Sequence, residues 1–103
     1  MSTDDSTLFE VSEVLGSKKR TLLLSLVKTQ PMNYTQIEKG FLKRGVKIGS
    51  SEIYKHLFIL LKWRYVAKRG KVYLVTLKGK KLIDALHSLD DVPPTVPKLE
   101  MVF

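Results

Sequence analysis

The chain has 103 residues and a mass of 11.8 kDa, enough for one domain around one hydrophobic core. It has no cysteine and only two histidines, His56 and His87, so disulfides, thiolate metal sites and multi-histidine catalytic constellations are excluded, and no enzyme is expected. The net charge is +8, and it is segregated: +15 over residues 17–83, −4 over residues 1–16 and −3 over residues 84–103. A basic middle between acidic ends points to a polyanion-binding surface, against the alternative of a lysine-rich, solvated surface.

Residues 1–6 read as a flexible polar tail, not a secretory signal. From Thr7 to Leu15, the apolar residues Leu8, Val11, Val14 and Leu15 recur at helical spacing. After Gly16, Ser17 is the expected N-cap of a second helix, which carries Leu22, Leu23, Leu24, Leu26 and Val27 and ends before Pro31. Asn33 with Gln36 forms a capping-box pattern for a third helix containing Ile37, Phe41 and Leu42. Gly45 is expected to terminate it. Ser50 is then expected to cap a fourth helix from Ser51 to about Arg64. Its apolar run, Leu57 to Leu61, is far shorter than a membrane span.

Beyond it the pattern changes to two short β-rich runs, Tyr65–Arg69 and Lys71–Val75, with Gly70 between them: a hairpin with a basic tip. Thr76 is the expected cap of a last helix carrying Leu77, Leu82, Ile83, Leu86 and Leu89. Residues 90–103 contain Pro93, Pro94 and Pro97 and are expected to be extended. Within them Val96, Leu99, Met101, Val102 and Phe103 suggest packing on a partner or on the hairpin, with disorder the alternative. The predicted fold is mainly α with a small β-hairpin, in the order α-α-α-α-β-β-α. The folded domain is expected to span residues 7–89.

This order, with Ser50-Ser51-Glu52-Ile53-Tyr54-Lys55-His56-Leu57 and Thr76-Leu77-Lys78-Gly79, resembles small winged helix-turn-helix transcription regulators. It is most similar to archaeal-type members of the ArsR, MarR and PadR kind. The resemblance covers about residues 15–89. It implies a double-stranded-DNA-binding, cytoplasmic, homodimeric regulator whose fourth helix reads DNA and whose hairpin is the wing. Two departures carry expectations of their own. Arg64 stands where the family has glycine; a left-handed arginine costs about 1 kcal/mol or more, so this turn is expected to differ. Phe58, Ile59 and Leu61 replace charged residues, so a more deeply buried helix is expected.

With Ile53, Leu57 and Leu60 as its core stripe, the fourth helix turns Ser51, Lys55 and Lys62 outward, flanked by Tyr54, Phe58 and Ile59. Ser51, Tyr54 and Lys55 are the candidates for base edges, and Ser50 for a phosphate. At the hairpin tip, Lys68 and Lys71 suit phosphates and Arg69 a narrow minor groove. Thr35 and Gln36 could hold phosphate at the start of the third helix; Lys47 and Arg44 lie nearby in sequence. Lys18, Lys19 and Arg20 open the second helix, where cations oppose the helix dipole, so either an external anion or solvent offsets them.

Asp84 and His87 share a face of the last helix but read as an acidic helix end, not a metal site. His56 is expected to be half-buried packing, and Trp63 and Tyr65 core or interface. A dimer is expected to form through Leu8, Val11 and Leu15 of the first helix and Ile83, Leu86 and Leu89 of the last. No cofactor, membrane contact or small-molecule effector is indicated. The competing readings are an architectural, chromatin-like DNA-binding protein with little sequence preference, and a protein-interaction winged helix.

Overall fold

The computed structural model describes residues 5–91, with side chains described from Leu8 to His87. Five helices and three short strands follow one another: α1 Asp5–Leu15, α2 Lys18–Thr29, β1 Met32–Asn33, α3 Tyr34–Lys43, α4 Ser50–Lys62, β2 Val66–Arg69, β3 Val72–Val75 and α5 Leu77–Asp91. α1 begins two residues earlier than expected, inside the supposed tail, and α5 runs through Asp91, past the expected boundary at 89. The expectations for Val96 to Phe103 lie outside the described residues. Among the described residues, no helix is long and apolar enough to cross a membrane.

Local capping chemistry sets most of the helix boundaries. The Ser17 hydroxyl accepts from Arg20 N at 3.2 Å. Asn33 and Gln36 close a complete capping box, Gln36 N to Asn33 Oδ1 at 2.9 Å and Asn33 N to Gln36 Oε1 at 2.8 Å. Gly45, at φ +71°, ends α3, with Val46 N returning to Phe41 O at 3.0 Å. Ser50 corrects the sequence reading: it is the first residue of α4, and the N-cap is Gly49, which makes no side-chain cap bond.

The hairpin is joined by a strand that residue patterns did not reveal. Leaving Pro31 extended, Met32 and Asn33 pair antiparallel with Tyr73 and Val72, so the sheet has three strands in the order β1-β3-β2. β2 and β3 pair from Val66↔Val75 to Arg69↔Val72, leaving a two-residue tip of Gly70 and Lys71. Gly70 takes φ +63° at the first tip position, as a type II′ hairpin turn requires.

α2 runs through the middle of the molecule and packs on every other helix and on β3. Leu23, Leu24 and Val27 of α2 meet Ile53, Leu57 and Leu60 of α4, Ile37 and Phe41 of α3, Val14 of α1 and Ile83 of α5 in one core. Ion pairs between Lys28 and Asp84 (2.7 Å) and between Lys19 and Glu52 (3.1 Å) link α2 to α5 and α4 at its edges.

Between α4 and β2 the chain does not avoid the strained turn. Arg64 adopts φ +65°, the left-handed conformation that glycine would occupy without cost. The turn is held from α5. Thr76 Oγ1 donates to the carbonyls of Arg64 (2.7 Å) and Tyr65 (3.1 Å) and accepts from Gly79 N (3.1 Å), capping α5 as expected. Lys78 Nζ donates to Trp63 O at 2.8 Å. Gly79 is required by this approach, because a β-carbon there would lie 2.2 Å from Tyr65 O. The sequence Thr76-Leu77-Lys78-Gly79 is therefore one clamp on three successive carbonyls.

Two polar side chains are buried between α2 and α4. Arg20, 7% exposed, donates Nη1 to the Glu13 carbonyl while its Nε has no partner. His56 is 4% exposed, more deeply buried than expected, and neither ring nitrogen makes a hydrogen bond. Burial, followed by the neighbouring Arg20 guanidinium, lowers its pKa; Glu52, 3.7 Å away, opposes this without prevailing. The opening cluster of α2 is therefore no external anion site as a whole, because Arg20 is internal and Lys19 is paired with Glu52.

Two outcomes are expected in urea unfolding. Arg64→Gly should stabilise the fold by about 1 kcal/mol by releasing the left-handed strain, whereas Gly79→Ala should cost about 3 kcal/mol by driving a methyl into the Tyr65 carbonyl. The folded chain binds its His56 proton less readily than the unfolded chain, whose histidine titrates near 6.5. Stability from neutral His56 is thus full above about pH 6.5 and falls as pH drops through that value toward the lower folded pKa. His56→Leu should flatten the loss of stability between pH 7.5 and 5.5.

Candidate nucleic-acid interface

The outward face of α4 is open to solvent, contrary to the expectation of a deeply buried helix. Its inner stripe of Ile53, Leu57 and Leu60 is consumed by the core, which leaves Ser51, Tyr54, Lys55 and Phe58 outside. Tyr54 is 52% exposed and Phe58 66% exposed. Ile59 and Leu61 are partly buried against the core, so the helix is apolar on two faces for two different reasons.

α4, the start of α3 and the hairpin converge on one open concavity of about 280 Å³, lined by Asn33, Tyr34, Thr35, Tyr54, Lys68, Lys71 and Tyr73. The Tyr34 and Tyr54 rings stack across its floor, with centroids 5.0 Å apart and planes within 10°. That stack favours this placement of the Tyr54 ring, by about 0.5–1.5 kcal/mol for an aromatic pair. In the same lining, Lys68 Nζ lies 5.5 Å from the centre of the ring of Tyr73, a largely buried residue of the central strand β3. The β1–β3 pairing brings the α3 start beside the hairpin, since Asn33 faces Val72 in the register and also caps α3.

Of the eleven residues expected to contact nucleic acid, four line this concavity: Thr35, Tyr54, Lys68 and Lys71. Ser50, Ser51, Lys55, Lys47 and Arg69 are solvent-exposed outside it, Ser50, Ser51 and Lys55 on α4 and Arg69 at the end of β2. Gln36 is exposed, but its carbonyl oxygen is committed to the Asn33 amide, which leaves only its amide NH2 group free to donate. Lys62 is drawn elsewhere: it lies 3.6 Å from Glu13 of α1 and 4.9 Å from the centre of the Trp63 ring. Arg44 lines a separate concavity with Lys39 and Lys43, and donates to Gly40 O at 3.2 Å.

Tyr34 and Tyr73 were not among the expected site residues. No sequence signal identifies them: Tyr34 reaches Tyr54 across twenty positions, and Tyr73 enters only through the strand register.

The acidic end of the molecule is stitched to the basic middle. Glu10 pairs with Lys78 at 2.5 Å, and Glu13 accepts from Trp63 Nε1 at 2.6 Å. Burial opposes ionisation of Glu10, but the hydrogen bonds from Lys78 and Tyr65 outweigh it, and its carboxyl stays below the usual carboxylate range. Among the residues expected at a dimer interface, Leu8 is exposed, while Val11, Leu15 and Leu86 are half-buried. Ile83 is corrected: at 1% exposure it is core within the single chain. The Leu89 side chain lies outside those described. Phe9, missed in the sequence, is 71% exposed beside Leu8. Among the described residues, no group of three His, Cys, Asp or Glu side chains could hold a metal ion.

Two solved structures share this architecture. One is a MarR-family transcriptional regulator from Porphyromonas gingivalis W83, at 12% identity and a TM-score of 0.69, covering 87% of this chain and 91% of that one. The other is an ArsR-family transcriptional regulator, at 15% identity and a TM-score of 0.61, covering 87% of this chain and 92% of that one. No protein-family model and no curated protein matches the sequence. At such low identity the likeness establishes the winged-helix fold.

Proposed function

We propose that this winged-helix chain is a cytoplasmic, homodimeric, sequence-preferring transcription regulator that binds double-stranded DNA. The observation that carries the reading is the meeting of α4, the α3 start and the basic hairpin around one open, cation-walled concavity. α4 would lie in the major groove, led by Ser51, Tyr54 and Lys55. An ammonium such as that of Lys55 can donate to guanine O6 and N7. Ser50, Thr35 and the amide of Gln36, at two helix starts, would hold phosphates. Lys68 and Lys71 would rest on the backbone beside the groove, and Arg69 would enter the minor groove. Lys47, in the α3–α4 link, would add a peripheral phosphate contact; Lys62, already engaged by Glu13, would contribute least. Both structural relatives are described as transcriptional regulators, which supports the same reading.

The dimer would form through α1 and α5, away from the basic face. Leu8 and Phe9 form an exposed apolar pair on α1, and Val11 and Leu15 of α1 and Leu86 of α5 are half-buried. A two-fold pairing there would set the two α4 helices about 34 Å apart, one turn of duplex.

Titration of duplex DNA by fluorescence anisotropy at several salt concentrations tests the main claim. A dimer touching roughly six phosphates should give a log–log slope of about −5, and a slope near zero would exclude it. Lys71→Ala should reduce that slope by about 2, one phosphate per subunit, and weaken all sequences alike; Lys55→Ala should instead narrow the gap between preferred and random duplexes. In sedimentation velocity, Leu8→Glu with Phe9→Glu should convert a species of twice 11.8 kDa into the monomer; an unchanged dimer would move the interface elsewhere.

A further inference from the structure

We infer that the α4 face selects DNA by apolar contact with the 5-methyl groups of thymine, with Phe58 the residue that makes the contact and Tyr54 the fixed platform beside it. This rests on the DNA-binding reading and specifies what that site recognises.

The first ground is what the helix lacks. From Ser50 to Lys62 there is no arginine, asparagine or glutamine, the side chains that pair two-pronged with guanine or adenine edges. Its one carboxylate, Glu52, is engaged by Lys19, and its one histidine is buried. Lys62 is held by Glu13 and the Trp63 ring. Lys55, the serines and the Tyr54 hydroxyl are the remaining exposed polar groups on this helix, which leaves few donors for its middle turn.

The second ground is what the face presents. Phe58 follows Tyr54 by one helical turn, so the two share a side of the helix. Phe58 is the most exposed large apolar residue on α4, and Tyr54 is pinned by its stack on Tyr34. A preorganised aromatic surface gives up little side-chain freedom on binding. The third ground is charge complementarity. Tyr54, at one end of this apolar strip, lines the concavity with Lys68 and Lys71, Lys55 is exposed on the same helix, and residues 17–83 carry only two acidic side chains against seventeen basic ones. The occupant suited to such a margin is a polyanion with an apolar feature in its groove. In the major groove that feature is the thymine methyl.

Two 24-base-pair duplexes test this: alternating dA·dT, and the same duplex with every thymine replaced by uracil. They carry the same phosphates and the same base-pairing groups and differ in the methyls. Binding is measured by anisotropy at two salt concentrations, with a matched pair of dI·dC and dI·5-methyl-dC duplexes as the converse. Each buried methyl is worth about four-fold in affinity, so contact with two predicts that dA·dT binds about fifteen-fold more tightly than dA·dU. 5-Methylcytosine should likewise improve on cytosine. Phe58→Ala should shrink the thymine-to-uracil ratio and leave the salt slope unchanged, while Phe58→Leu should keep most of it. Because Phe58 is largely exposed, both variants should fold, which an unchanged urea midpoint would verify.

Equal affinity for the thymine and uracil duplexes, with normal salt dependence, would overturn the inference and leave the DNA reading intact. A Phe58→Ala variant that keeps the thymine preference but loses self-association would also overturn it and assign the face to a second copy of the chain. No binding to any duplex at low salt would remove the DNA reading itself.

Discussion

Three backbone carbonyls between α4 and the first hairpin strand, those of Trp63, Arg64 and Tyr65, receive hydrogen bonds from the opening turn of α5. Without those donors, a left-handed arginine and two turn carbonyls would have to be maintained by the local chain alone, at a cost of about 1 kcal/mol or more for the arginine. With them, the angle between α4 and the hairpin is set from outside the turn. Gly79 lets the α5 backbone come close enough for this to happen. The placement of the hairpin cations relative to α4 rests on that close approach, as the placement of the α3 start rests on the β1–β3 pairing.

The charges divide along the same line. Glu10 and Glu13 are spent within the chain on Lys78, Trp63 and Lys62, so α1 neutralises cations at the end of α4 and the start of α5 and none of the cations lining the concavity. Lys19 and Glu52 likewise cancel each other. Lys55 of α4 and Lys68, Arg69 and Lys71 of the hairpin remain exposed and outside these pairs, as do Lys39, Lys43 and Arg44 around the second concavity. Exposed ion pairs of this kind contribute little stability, about 0–1 kcal/mol each; their larger effect here is to decide which cations stay free to meet an anion. The buried Arg20 and His56 sit between α2 and α4, and because burial lowers the His56 pKa, protonating it in mild acid opposes the docking of α4.

How much was legible in the residues varied with the range of the interaction concerned. Ser17, the Asn33–Gln36 box and Thr76 act across three positions, and each caps its helix as the sequence pattern indicated. The inner stripe of α4 was readable because helical period alone places Ile53, Leu57 and Leu60 together. Ser50 was misread because serine caps well in general, whereas here the chain direction after Ile48 makes Gly49 the residue that turns into the helix. β1 was invisible, since two residues have no periodicity and become a strand only when β3 lies alongside. Arg64 was expected to force a different turn; the clamp from Thr76, twelve positions away, overrides the local preference.

The chain by itself determined the element types, their order, the basic middle and the apolar faces, because those follow from spacing, capping and composition within a few residues. Only the tertiary structure decided which charges are spent and which are free, that Ile83 is core while Phe9 is surface, and that Tyr34 stacks on Tyr54. Those outcomes depend on segments from 20 positions apart, as for Tyr34 and Tyr54, to 68 apart, as for Glu10 and Lys78, meeting in space, and contacts at such separations leave no periodic trace in a single sequence.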